Sequence, residues 1–177
     1  MAQALAFIPF LIFGLGITQL LSEWRRLFDT KKYFIPYFLF TIMLTEVAVY
    51  TIFVYAQLVV TLPDLNYFTY LSYLIPPFLF FMVTNVFTPD KGSDTKEYFI
   101  ERMPLFFILL ALFFGSQFFY DLHESNYLHI LRLLAIVILI IAGLFYRKIW
   151  ITYALVVIWL IGIIIRSNMV LIERIVN

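Results

Sequence analysis

Six long apolar stretches, separated by short polar segments, make up most of the chain, at roughly 4–22, 34–57, 66–88, 104–121, 126–146 and 149–167. A stretch of about 20 mainly apolar residues is long enough for an α-helix to cross the hydrocarbon core of a membrane. Because lipid offers backbone groups no hydrogen-bond partner, spans of this length must be helical. The pattern predicts an all-α fold, a polytopic transmembrane helical bundle of about six spans that forms a single integral membrane domain over residues 1–177.

The composition indicates that lipid, rather than water, surrounds most of the chain. Hydrophobic residues make up 64% of the 177 residues and charged residues only 13%. An average soluble domain is about half apolar and about a quarter charged, and a soluble fold of this length could not bury so much apolar surface. The formal net charge is +1, and most of the basic residues lie in short loops. The predicted partner is therefore the lipid bilayer, and nucleic acid is not expected.

The basic residues are distributed unevenly among the loops. The first, third and fifth loops hold nine of the twelve, at Arg25, Arg26, Lys31, Lys32, Lys91, Lys96, Arg102, Arg147 and Lys148. The second and fourth loops hold none. The positive-inside rule predicts that the three basic loops are cytoplasmic and that both termini lie on the opposite side of the membrane.

The third loop has features of its own. Asp94 and Glu97 have the spacing of a capping box, and Pro104 is expected to open the next span. This predicts a short cytoplasmic amphipathic connector over residues 93–103. The loop divides the chain into three spans plus three, a division compatible with the inverted repeats of many transporters, although the two halves show no convincing residue similarity.

Short motifs resemble a known family. They are Gly14-Leu15-Gly16-Ile17-Thr18-Gln19-Leu20-Leu21, Arg25-Arg26-Leu27, Pro36-Tyr37, Phe87-Thr88-Pro89-Asp90 and Tyr98-Phe99-x-x-Arg102. Together they cover roughly residues 14–115 and resemble a bacterial family of six-span inner-membrane hypothetical proteins with no assigned activity. The resemblance implies six spans and a multi-pass location in the bacterial inner (cytoplasmic) membrane. The second span departs from the family, which has Trp and His where this chain has Phe, Tyr and Glu46.

Glu46 is the residue that most constrains a functional hypothesis, because it lies near the middle of the second apolar stretch. An ionised carboxylate at that depth costs about 2.5–3.5 kcal/mol on insertion scales, so the group must be neutral or paired. Tyr50 follows on the same helix face, and Arg132 lies well inside the fifth stretch with a side chain long enough to reach inward. The three are predicted to bind a solute or ion. The alternative is that Glu46 forms a buried ion pair or hydrogen bond with one of these partners and that this contact only holds the helices together.

Further polar side chains extend this hypothesis into two zones. An outer zone comprises His129, Gln117, Ser116, Gln57 and Tyr127, and an inner zone comprises Gln19, Asn85, Thr84 and Tyr153. Two vestibules separated by Glu46 are a layout expected of a transport route. The alternative is that such groups bridge membrane helices, for about 0.6 kcal/mol each.

Two backbone features accompany these side chains. Pro76 and Pro77 lie in the middle of the third stretch, where they are expected to break or kink the helix and free carbonyl groups. Gly14 and Gly16 are expected to let another helix approach the first span closely.

The sequence holds no catalytic or cofactor motif. The absence of cysteine excludes disulfides, thiolate metal sites and iron–sulfur clusters. His123 and His129 lie near the same outer edge, without the spacing of a zincin helix or of paired haem ligands. We therefore predict no enzyme, no cofactor and no metal. The alternative is an enzyme whose reaction takes place at the outer surface, where Asp121, His123 and Glu124 would be the reactive residues.

The favoured hypothesis is a membrane protein that binds or transports a small solute, ion or lipid through its mid-membrane carboxylate. One alternative is an accessory or assembly subunit whose partner is another membrane protein or a second copy of the chain. Another is a membrane sensor that acts through residues 93–103.

Overall fold

The computed structural model describes residues 2–22, 34–61, 67–90, 92–118, 126–145 and 148–176. This part of the chain forms six α-helices and no β-strand. The helices are α1 (Ala2–Leu21), α2 (Ile35–Thr61), α3 (Tyr67–Phe87), α4 (Thr95–Gln117), α5 (Asn126–Phe145) and α6 (Trp150–Val176). The all-α prediction is confirmed, and each predicted apolar stretch overlaps one helix.

Among the residues that the structure describes, three helices are long and apolar enough to cross a membrane, along Ile35–Ala56, Tyr70–Phe87 and Thr95–Gln117. The other helices contain shorter apolar stretches, at Phe7–Leu21, His129–Ala142 and Trp150–Ile165. Large apolar side chains also cover the outer surface, among them Leu15, Val49 and Ile164, each more than half exposed. So many exposed large apolar side chains are unusual on a soluble protein and indicate a lipid environment.

Two helix ends differ from the boundaries expected from hydropathy. α4 begins at Thr95, where Asp94 accepts a hydrogen bond from the backbone N–H of Glu97 at 2.9 Å. The capping residue was correctly predicted, but α4 continues through Pro104, so residues 95–103 form its first turns rather than a separate helix. α6 continues to Val176, beyond the end near residue 167 expected from hydropathy, because residues 166–176 include no glycine or proline that would stop a helix.

The six helices form a closed cycle of contacts in the order α1, α3, α4, α5, α6, α2. The most extensive contacts join α1 to α3, α3 to α4 and α4 to α5, and α2 also touches α4 across the cycle. The two halves of the chain pack differently. α1 lies along α3, whereas no comparable contact joins α4 to α6 within the described residues. The packing therefore does not confirm the inverted repeat.

Aromatic rings fill the core between α2, α3 and α4. Phe40 is fully buried, and its ring centroid lies 5.5 Å from that of Phe106, 6.1 Å from that of Phe99 and 6.4 Å from that of Phe87. Each such pair contributes about 0.5–1.5 kcal/mol beyond the burial of its area. This cluster packs α2 against α3 and α4.

Pro76 and Pro77 do not break α3, which is continuous from Tyr67 to Phe87. Pro77 has no N–H, so the carbonyl of Tyr73, one turn before it, loses its partner within the helix. The hydroxyl of Tyr55 on α2 donates a hydrogen bond to this carbonyl at 2.9 Å. The neighbouring helix thus satisfies a backbone group that the proline frees, as membrane helices require.

This contact predicts that Tyr55→Phe will destabilise the protein. Phenylalanine keeps the ring packing against Phe13, but removes the hydrogen bond from the Tyr55 hydroxyl to the part-buried Tyr73 carbonyl, for a loss of about 1 kcal/mol in the free energy of unfolding. In a Pro77→Ala background the alanine supplies the N–H donor that the helix lacks. Tyr55→Phe should then lower the free energy of unfolding much less. Unfolding in detergent of the four proteins of this double-mutant cycle tests the prediction. An equal cost in both backgrounds would contradict it.

The two glycines of α1 have different surroundings. A Cβ at Gly16 would lie 2.8 Å from the ring of Phe80 on α3, whereas a Cβ at Gly14 would meet no atom within 4 Å. The close approach predicted for α1 is therefore confirmed at Gly16, where it brings α1 against α3, and is wrong at Gly14.

Candidate binding cavity between α2, α4, α5 and α6

A cavity of about 110 Å³ lies between α2, α4, α5 and α6 and is partly open to the surface of the bundle. Most of its wall is apolar, and its polar groups come from Tyr50, Gln117, Arg132 and Trp159. An engineered apolar cavity of about 150 Å³ holds one benzene molecule, and one water needs about 10–15 Å³. The space therefore accommodates a few waters, an ion or a small solute.

Glu46 adjoins this cavity through Trp159 of α6. The indole Nε1–H of Trp159 donates a hydrogen bond of 2.7 Å to Glu46 Oε2. The Trp159 ring also lines the cavity, while Glu46 itself is partly buried just outside the described lining. Because indole is only a donor, Oε2 of the carboxyl group must be the acceptor in this bond. The bond holds the carboxyl group beside the cavity and links α2 to α6.

The polar wall on α4 is also tied to α2. Gln117 Nε2 donates a hydrogen bond of 3.2 Å to Thr51 Oγ1, and Thr51 in turn donates to the carbonyl oxygen of Val47 at 2.7 Å. This arrangement fixes the Gln117 amide and leaves its oxygen as an acceptor. Tyr50 lines the same cavity one turn beyond Glu46 on α2.

Arg132 contributes the positive charge of the cavity. It is partly buried on α5, and its guanidinium carbon lies 5.4 Å from the ring centroid of Phe118 at the end of α4. His129, one turn earlier on α5, stacks on the same ring at a centroid distance of 5.6 Å. Phe118 thus contacts both His129 and Arg132. Only Arg132 of this pair is among the described cavity residues.

Gln19 and Asn85 lie elsewhere. They share a second pocket, of about 600 Å³, where α1 and α3 end and α4 begins. The structure therefore groups Tyr50, Gln117 and Arg132 around the first cavity, next to Glu46, and separates them from Gln19 and Asn85. Of the other polar candidates, Thr84 is fully buried and its hydroxyl donates to the carbonyl oxygen of Phe81 in its own helix, and Tyr153 is exposed.

Sequence reasoning missed Trp159, the hydrogen-bond donor to Glu46. A tryptophan in a membrane helix is usually assigned to the membrane–water interface, and Trp159 lies 113 residues from Glu46 in sequence. A usable signal was its position: Trp159 lies well inside the sixth apolar stretch, away from its ends, where an indole N–H needs a partner.

Several predicted residues lie outside the described side chains, namely Gln57, Asp121, His123, Glu124 and Tyr127. Within the part of the chain that is described, no three His, Asp or Glu side chains come together as potential metal ligands. Comparison with protein-family models, with curated proteins and with solved structures finds no match to this chain. Its function must therefore be argued from the chemistry of the cavity.

Proposed function

We propose that the protein is a six-span transporter of the bacterial inner membrane that moves a small polar solute or ion, with both termini outside the cytoplasm. The bacterial location comes from the resemblance of residues 14–115 to a family of six-span inner-membrane proteins. The orientation comes from the basic loops, which a positive-inside distribution assigns to the cytoplasm. The single observation that carries the functional proposal is the cavity next to Glu46.

The cavity supports a small ligand. Its volume of about 110 Å³ is well below the roughly 300–1,000 Å³ of pockets that hold drug-sized molecules. A phospholipid does not fit such a space, so of the solute, ion and lipid considered from the sequence, a solute or ion is favoured. Apolar walls with a few convergent polar groups are typical of small-molecule sites.

The polar groups support an anionic or zwitterionic solute that moves together with a proton. Arg132 carries a permanent charge and offers a planar set of donors that fits a carboxylate or similar anion. Tyr50 can donate or accept, and Gln117 keeps an acceptor oxygen. Glu46 is the group that gains and releases the proton, and intramembrane carboxylates serve this role in many pumps and transporters. Trp159 holds the carboxyl group in place between proton transfers.

Reconstitution of the purified protein tests the proposal. Liposomes that contain a pH-sensitive dye are given inward gradients of chloride, phosphate, glycine, sodium or potassium in turn. We expect one of the anionic or zwitterionic solutes to acidify the interior of the proteoliposomes faster than that of protein-free liposomes. Equal rates for every solute would count against transport.

A second candidate function is that of an accessory subunit, and one surface feature favours it. An apolar groove of about 630 Å³ runs along α3, α4 and α5, and its floor includes Ala111, Gly115 and Ser116. Small residues at this spacing let membrane helices approach closely. Copurification with a second membrane protein at fixed stoichiometry, together with absence of flux, would favour this function over transport.

A further inference from the structure

A second pocket, of about 600 Å³, lies where α1 and α3 end and α4 begins. Its wall is mostly polar, and the side chains that matter for its chemistry are Gln19, Asn85, Asp90, Tyr98 and Arg102. The apolar part of α3 ends at Phe87, immediately before this pocket. In a membrane the pocket therefore lies at the level of the lipid headgroups.

Contacts between the helices hold the wall of the pocket together. The hydroxyl of Tyr98 on α4 donates a hydrogen bond of 3.2 Å to the carbonyl oxygen of Val86 on α3. Thr88 Oγ1, just after α3, lies 3.4 Å from the carbonyl oxygen of Gln19 on α1. Arg102 lies one turn after Tyr98, and its guanidinium carbon is 5.8 Å from the ring centroid of Tyr98.

Opposite charges line this pocket. The exposed guanidinium of Arg102 belongs to α4, whereas the exposed carboxylate of Asp90 follows the end of α3. α1 and α3 both end here, and the C-terminal end of a helix carries partial negative charge that favours cations. The pocket thus offers an anion site at Arg102 and a cation site at Asp90 and the two helix ends.

We propose that this pocket binds a phosphoethanolamine-type zwitterion, with its phosphate on Arg102 and its primary ammonium on Asp90. Arginine binds phosphate through paired N–H donors, which fixes the orientation of the group. A primary ammonium donates hydrogen bonds that a carboxylate and the amide oxygens of Gln19 and Asn85 accept. The headgroup of a phospholipid and a free phosphoethanolamine share this chemistry. The site is separate from the cavity next to Glu46 and does not depend on the transport function.

Lipid binding to the purified protein tests this proposal. The protein is placed in nanodiscs or detergent with phosphatidylethanolamine, phosphatidylcholine or phosphatidylglycerol, and bound lipid is measured by native mass spectrometry. We expect the ethanolamine lipid to be retained preferentially, because choline lacks N–H donors and glycerol lacks the positive charge. Equal retention of the three lipids would overturn the proposal.

Single substitutions measure how much Arg102 and Asp90 each contribute to lipid binding. Arg102→Gln should weaken binding of the ethanolamine lipid by about fivefold, because water partly screens the contact between an exposed guanidinium and phosphate. Asp90→Asn should reduce its preference over the glycerol lipid. The matched control is Lys96→Gln, an exposed cation of α4 outside this pocket, which should leave binding unchanged. An equal effect of Lys96→Gln and Arg102→Gln would indicate unspecific attraction and overturn the proposal.

Soluble phosphoethanolamine identifies the source of the ligand. If millimolar phosphoethanolamine displaces the bound lipid, the headgroup alone is sufficient and a free solute is a ligand. If it does not, while the lipid preference and the Arg102→Gln effect hold, the ligand is the intact lipid. Either result supports recognition of the zwitterion.

Discussion

Replacement of Glu46 by glutamine is expected to lower proton-coupled flux by about tenfold or more, because an amide cannot carry a proton across the membrane interior. Glutamine has nearly the same shape as glutamate, and its amide oxygen can still accept the hydrogen bond that Trp159 donates at 2.7 Å. The substitution also removes the cost of inserting an ionisable group, about 2.5–3.5 kcal/mol for an ionised carboxylate. The variant should therefore fold at least as stably as the unsubstituted protein.

The measurement compares flux in liposomes with the unfolding temperature in detergent for each protein. Glu101→Gln is the matched control, since Glu101 is an exposed carboxylate of α4 that lies in neither pocket. It should change neither quantity. Unchanged flux in Glu46→Gln would remove Glu46 from the mechanism. A parallel loss of flux and of stability would assign Glu46 a structural role.

The helices could be predicted from the sequence because hydropathy alone marks segments that must leave water. Each apolar stretch coincides with a helix, and the Asp94 cap was visible as a local motif. The ends of α4 and α6 could not be predicted in this way. Hydropathy indicates which residues meet lipid, whereas the ends of a helix depend on local capping and on neighbouring contacts, and α4 begins at its Asp94 cap and continues through Pro104.

Part of the candidate site could also be predicted, since a carboxylate in an apolar stretch is conspicuous by its energetic cost. Glu46 was chosen on this ground, Tyr50 and Arg132 as its possible partners, and Gln117 as a member of the outer polar zone. Tyr50, Gln117 and Arg132 line one cavity next to Glu46. Their common location depends on how α2, α4, α5 and α6 pack. No local pattern encodes that packing, so the cavity and the hydrogen bond between Trp159 and Glu46 became visible only in the structure.

Because the sequence does not show how the helices pack, Gln19 and Asn85 were predicted to lie on a single transport route with Glu46. Both are polar residues near the predicted cytoplasmic ends of their helices, so sequence position alone assigned them to an inner vestibule. The structure places them in a separate pocket that also contains Asp90 and Arg102. Charged residues next to a span are counted for orientation, and their possible role in binding is then easily overlooked.

Substitution of Gly162 by leucine is expected to block the cavity and to lower flux by about tenfold or more, since a small-molecule site buries most of its ligand's surface and works only if the space is vacant. Gly162 lies on α6 and lines the cavity, and a Cβ at this position would meet no atom within 4 Å. Because Gly162 lines the cavity of about 110 Å³ and the Cβ has open space around it, we expect the isobutyl group of leucine to occupy part of the cavity without a collision at the Cβ.

Gly14→Leu is the matched control, because a Cβ at Gly14 also meets no atom within 4 Å and Gly14 is not part of the cavity. Both substitutions replace a helical glycine by a good helix former, which favours the folded state by about 0.8–1.0 kcal/mol. Unfolding in detergent should thus show both variants to be at least as stable as the unsubstituted protein. Gly162→Ala, which adds only a methyl group, should reduce flux less than Gly162→Leu. Equal flux in Gly162→Leu and Gly14→Leu would mean that the solute does not pass through this cavity, whatever the role of Glu46.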